Sequence, residues 1–242
     1  MTETTRTPAR PRGPLTIYRL QRLVLAACVV LGPVAILIAA LANPPYYGSG
    51  PGEAATIATN ARSSDLMDQT HLVAELVASY LLPVGLLVMA WLANRRSPWL
   101  ASVGGLLTAL GFIPLALYVG QDSLYYDIAR LGGGAALVEL AVRFNHDGIM
   151  NFYNLVFGLG TVLGPTLIGL ALWRSRAVPA WAALCVTLSR LPSFVFLAVP
   201  FSVAVAAVLA GVVLLVIGSI PVAVAVWRVP RSIEGELVAT RV

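Results

Sequence analysis

Six apolar runs alternate with short polar stretches along this chain. They occupy about residues 21–43, 71–93, 99–120, 149–173, 179–199 and 202–227. Roughly 20 apolar residues carry a helix across the hydrocarbon layer. Backbone in lipid must satisfy its own hydrogen bonds, so each run is expected to be helical. The pattern predicts an all-α polytopic membrane protein, a six-transmembrane-helix bundle. The bundle forms a single domain over 21–228, between a disordered basic tail at 1–20 and a short tail at 229–242.

The polar stretches are unequal. Residues 94–98 and 174–178 read as tight turns, and runs five and six meet near Pro200 and Phe201. By contrast, 44–70 and 121–148 read as long loops on one face, where binding function usually resides. The second contains GGGAALVELAVRF. There Leu137, Leu140 and Ala141 form the apolar side of an expected short interfacial helix, opposite Glu139 and Arg143.

Composition removes the soluble alternatives. The 242 residues are 58% hydrophobic and 11% charged, against about 25% charged in soluble domains. All sixteen basic residues are Arg, a bias that points to GC-rich coding and a bacterial source. In a six-run threading, twelve of them share one side with three acids, while Arg62, Arg130 and Arg143 share the other with eight acids. Arg-rich loops stay in the cytoplasm, so both termini are expected inside the cell membrane. The five Trp residues fall at cytoplasmic run ends, and Tyr46, Tyr47, Tyr118, Tyr125 and Tyr126 at outer ends, as interfacial rings do. The basic tail meets anionic lipid headgroups rather than nucleic acid. The Arg-rich start and Ala40-Leu41-Ala42 resemble a cleavable signal. The apolar run exceeds a signal core of about 7–15 residues, so it is read as a retained helix. Cys28 and Cys185 sit in separate runs and indicate neither a disulfide framework nor a thiol redox site.

Polar residues inside the runs carry the functional expectation. Asp68, His71 and Glu75, with Ser79, fall on one helical face. Asp147, Asn151 and Asn154, with His146 at the margin, form a second stripe, while Gly160 and Gly164 make a GxxxG packing surface on another side. Arg190 lies about 15 Å deep at ~1.5 Å per residue. Left to lipid it would cost from ~2.5 to more than 10 kcal/mol, so it is expected to face the interior and pair with Glu75 or with the Leu188 carbonyl freed by Pro192. These eight residues are the candidate binding set. Each also has a plainer reading: Asp68 and Asp147 as helix caps, the histidines as interfacial, the Asn pair as interhelical glue, and Arg190 with Glu75 as a structural pair. Every run holds one Pro in its body (Pro33, Pro83, Pro114, Pro165, Pro192, Pro221), which either breaks a helix to build a site or is ordinary membrane usage.

Asp68, His71, Glu75 and His146 are ligand types that zinc accepts. Their spacing matches no metal signature such as HExxH, so no metal and no cofactor is expected. Walker, Ser–His and paired-His haem motifs are absent from the sequence. The leading expectation is a non-enzymatic protein binding a small molecule, ion or lipid headgroup in an outward-facing pocket among runs 2, 4 and 5, with transport as a variant. The alternatives are an intramembrane acid/base enzyme acting on a lipid or isoprenoid, and a structural or assembly subunit. The expected partners are the lipid bilayer and such a ligand.

The stretch HDGIMNFYNLVFGLG, followed by GLALWRSRAVPAWAAL, resembles a family of six-helix bacterial membrane proteins that has no established activity. The resemblance covers about residues 146–183, with Arg176 as an extra charge inside the Arg-Ser-x-x-Val-Pro pattern. It implies the six-helix fold and no reaction.

Overall fold

Helix caps and prolines decide where each apolar run begins and breaks. The computed structural model describes residues 14–48, 50–192 and 199–228, and all regular structure among them is helical. Most of the expected N-terminal tail, and all of the C-terminal one, lies outside the described residues. The first, second, fourth and sixth runs become α1 (Pro14–Leu41), α3 (Asp65–Asn94), α7 (Gly148–Ser175) and α9 (Phe201–Arg228). At the start of α3, Ser64 Oγ accepts from the Met67 amide at 3.3 Å, and Asp147 caps α7 by accepting from the Met150 amide at 2.8 Å. Such caps supply partners for amides that the first turn leaves free.

The third run is two helices, α4 (Pro98–Phe112) and α5 (Leu115–Arg130). They part at Ile113 and Pro114, where the ring removes an amide donor. The joined stretch spans 33 residues, about 50 Å at ~1.5 Å per residue. It therefore outreaches the ~30 Å hydrocarbon, and what reads as an outer loop after residue 120 continues as helix. The fifth run is described only as α8 (Ala180–Leu188) and a turn through Pro192. The rest of that run, 193–198, lies outside the described residues. Among the described residues, five helical stretches (α1, α3, α4 with α5, α7 and α9) are thus long and apolar enough to cross a membrane.

Both long loops are largely helical too. A 3-10 turn at Pro44–Tyr47 precedes α2 (Glu53–Asn60), and α6 (Ala135–Asn145) follows α5. Ile57 of α2 packs with Tyr125, Ile128, Ala129 and Ala141, and with Leu137 of α6. Together these elements cap one end of the bundle. On α6, Ala141 and Leu137 pack against protein, whereas Leu140 is 60% exposed.

At the other end, Arg96 donates to the Ser175 carbonyl at 3.4 Å and joins the two tight turns. All five Trp residues are at least half exposed, as rings at an interface would be. The main core, including Leu82, Leu86, Met89, Ile168, Leu172 and Leu215, fills the middle of the bundle and the uncapped end. Close backbone approach holds α4 to α7. A Cβ on Gly160 would stand 2.5 Å from the Leu107 carbonyl, and Gly164 faces Thr108, so the GxxxG pair does form a packing surface.

Candidate functional site

Two breaks in regular helix border one cavity. One is the α4–α5 junction at Pro114; the other is the turn after α8 that carries Arg190. Irregular backbone at membrane depth is tolerated where it is buried in protein or lines a cavity. A cavity of about 680 Å³ lies there, toward the capped end, lined by α1, α3, α4, α5, α7, α9 and the Arg190 turn. Its walls are mainly apolar, with Ile36, Phe112, Leu115, Phe157, Leu159 and Val212 among them.

The polar groups gather in two places. On one wall His71 accepts a central position. Its Nδ1 lies 2.9 Å from the Ala39 carbonyl near the end of α1, and its Nε2 lies 3.2 Å from Asp122 Oδ2 and 3.6 Å from Glu75 Oε2. His71 and Glu75 are 7% and 8% exposed. Among the described residues, Glu75 Oε2 makes no hydrogen bond, and neither does Asn43 Oδ1 in the same lining. Arg190 also lines the cavity, and its Nε is buried and without a hydrogen-bond partner among the described residues. Its guanidinium lies 6.0 Å from the centre of the Phe112 ring. Tyr46, on the 3-10 turn, also lines the cavity. Burial raises its phenol above the usual range, with the nearby Arg190 charge opposing.

Of the eight sequence candidates, His71, Glu75, Asn154 and Arg190 line this cavity. Asn154 Oδ1 accepts from the Tyr118 hydroxyl and so ties α7 to α5. The other four do not line it. Asp68 sits behind His71 and accepts from Ser63 Oγ at 2.6 Å. Asp147 is occupied as the α7 cap, and Asn151 donates to the His146 carbonyl at 3.1 Å. His146 is an exposed residue of the cap, 3.9 Å from Glu53. The expected partners of Arg190 are also corrected: neither Glu75 nor the Leu188 carbonyl bonds to its buried Nε.

Asp122, Tyr46, Tyr118 and Asn43 are cavity residues that the sequence reading left out. The available signal was that Tyr118 and Asp122 are four apart, on one face if helix continues past residue 120. Chemically, the site combines a His–carboxylate cluster with a guanidinium whose Nε has no hydrogen-bond partner among the described residues, in an apolar chamber. Ligand atoms of His71, Glu75 and Asp122 lie within 4.8 Å of one another.

No family model matches the chain, nor does any curated protein or solved structure resemble it detectably. The resemblance over residues 146–183 thus gains no support from a family model.

Proposed function

We propose that the chain is a six-span protein of the cell membrane that binds an amphiphilic small molecule or lipid headgroup in this cavity. In that reading residues 180–199 complete a broken fifth span, both termini are cytoplasmic, and the α2–α6 cap lies outside. The skewed distribution of Arg supports this orientation.

One observation carries the binding reading. Glu75 Oε2 and Arg190 Nε, buried and without hydrogen-bond partners among the described residues, border the same chamber from separate elements. Burial without a partner costs about 1–3 kcal/mol for a polar group, and more for a charged one. A ligand offering an anionic group to Arg190 offsets that cost, and the apolar walls take its hydrocarbon part. Pockets of about 300–1,000 Å³ with few convergent polar groups are the usual form of small-molecule sites. The packed core beyond the cavity, at Leu82 and Leu86, favours binding over passage.

The test is retention of co-purifying amphiphile, read by native mass spectrometry in mild detergent. Wild type and a surface control, Arg143→Gln, retain an adduct, and Arg190→Gln loses it. Equal retention by Arg190→Gln overturns the reading.

A second reading, an intramembrane acid/base enzyme, is favoured by His71 lying between two carboxylates, an arrangement suited to proton transfer. Arg190 would stabilise developing negative charge. It predicts that Glu75→Gln abolishes turnover of the bound amphiphile while leaving its retention intact.

A further inference from the structure

Three lone-pair-bearing atoms converge on one wall of the cavity. The Ala39 carbonyl can only accept, so His71 Nδ1, 2.9 Å away, donates to it and carries the ring hydrogen. A neutral ring held this way presents a bare Nε2. That atom faces Asp122 Oδ2 at 3.2 Å and Glu75 Oε2 at 3.6 Å, and ionised carboxylate oxygens are acceptors as well. Three acceptors do not close on one another without a proton or a cation among them. A second ring proton supplies one bond, toward Asp122, and leaves Glu75 Oε2 unsatisfied within a residue 8% exposed. Arg190 does not fill the gap, since it forms no salt bridge with any carboxylate among the described residues.

We propose that His71 Nε2, Glu75 and Asp122 hold a divalent transition-metal cation of the zinc class. The inference uses one wall of the cavity and does not depend on the amphiphile reading.

Distance, charge and orientation each favour it. Metal–ligand bonds of about 2.0–2.1 Å at tetrahedral angles set ligand atoms about 3.3–3.4 Å apart, and the observed 3.2 and 3.6 Å bracket that spacing. A dication neutralises the buried carboxylate of Glu75 and the partly buried one of Asp122 beside a neutral ring. The bond from His71 Nδ1–H to a backbone carbonyl is the usual outer contact that fixes a ligating imidazole. The three donors come from α3 and α5. The fourth coordination position is then free for water or ligand, as in open zinc sites.

The test uses full-length, tag-free protein in detergent, loaded with Zn²⁺, dialysed and assayed for metal. Co²⁺ substitution provides a visible-absorption reading of the coordination. Wild type retains one zinc per chain. Glu75→Gln and His71→Ala each weaken zinc affinity by at least about tenfold, a scale reached even by changes to outer contacts. Asp122→Asn, at a partly exposed side chain, guards against loss of folding, and it too binds zinc at least about tenfold more weakly. A monodisperse wild type that leaves dialysis without zinc overturns the proposal. So does zinc binding at the wild-type level by Asp122→Asn and Glu75→Gln, which would put the metal elsewhere.

Discussion

The imidazole of His71 on α3 meets the carboxylate of Asp122 on α5 at 3.2 Å, across 51 residues of sequence. The other ring nitrogen holds the Ala39 carbonyl at 2.9 Å. That carbonyl sits in the last turn of α1, where intrahelical donors run out. One side chain therefore ties three helices together at the capped end.

His71→Ala removes both contacts and exposes the Ala39 carbonyl inside the bundle. Leaving a buried acceptor unsatisfied costs about 1–3 kcal/mol. The midpoint of thermal unfolding in detergent is expected to fall accordingly; an unchanged midpoint would mean that the imidazole ties nothing together.

Two glycines on α7, two residues apart, should respond in opposite ways. Gly160 abuts α4, so Gly160→Ala overpacks the interface, which typically costs about 1–3 kcal/mol. A Cβ at Gly158 meets nothing within 4 Å, so Gly158→Ala stays within about 0.5 kcal/mol of wild type. Denaturation of the two variants side by side checks the α4–α7 register. Equal stability would show that the helices do not meet at Gly160.

Asp147 separates capping from binding. Asp147→Ala leaves the Met150 amide without its side-chain partner, and loss of an N-cap costs about 0.5–2 kcal/mol. Unfolding should shift by that amount while amphiphile retention stays at the wild-type level. Retention lost together with Arg190→Gln would instead restore Asp147 to the site.

The surface pair Arg130–Asp65 offers the opposite expectation. It is a contact between exposed side chains, 44% and 80% accessible, and exposed ion pairs contribute little because water screens them. Arg130→Ala should leave the unfolding midpoint where it is, although the guanidinium also lies 4.3 Å from the centre of the Tyr126 ring. A large drop would mean that the cap depends on that residue.

Helical periodicity made half of the site legible and misplaced the other half. His71 and Glu75 were readable because a four-residue spacing brings both to one face, and a carboxylate one turn inside an apolar helix demands an interior partner. The same rule produced the Asp147–Asn151 stripe, yet those side chains serve the backbone at their own helix start. Near an N-terminus, free amides and turn carbonyls compete for polar side chains before any site does. Asp122 was missed because a charge after an apolar run reads as solvated loop. Only the continuation of α5 past Pro114 turns it toward His71. Arg190 was recognised as costly, but the turn that carries it depends on where α8 stops, which periodicity does not record. The apolar runs themselves were legible because hydrocarbon thickness fixes their length; the helices of the cap were not, since short amphipathic segments take their facing from whatever they pack on.

The most direct test is a cryo-electron microscopy map of the protein in a native-lipid nanodisc. The expected result is elongated density in the cavity between α1, α3, α5 and α7, its polar end within hydrogen-bonding distance of Arg190 Nε. A well-resolved cavity holding no such density, or an Arg190 turned away and paired with a carboxylate of the chain itself, would contradict the binding function.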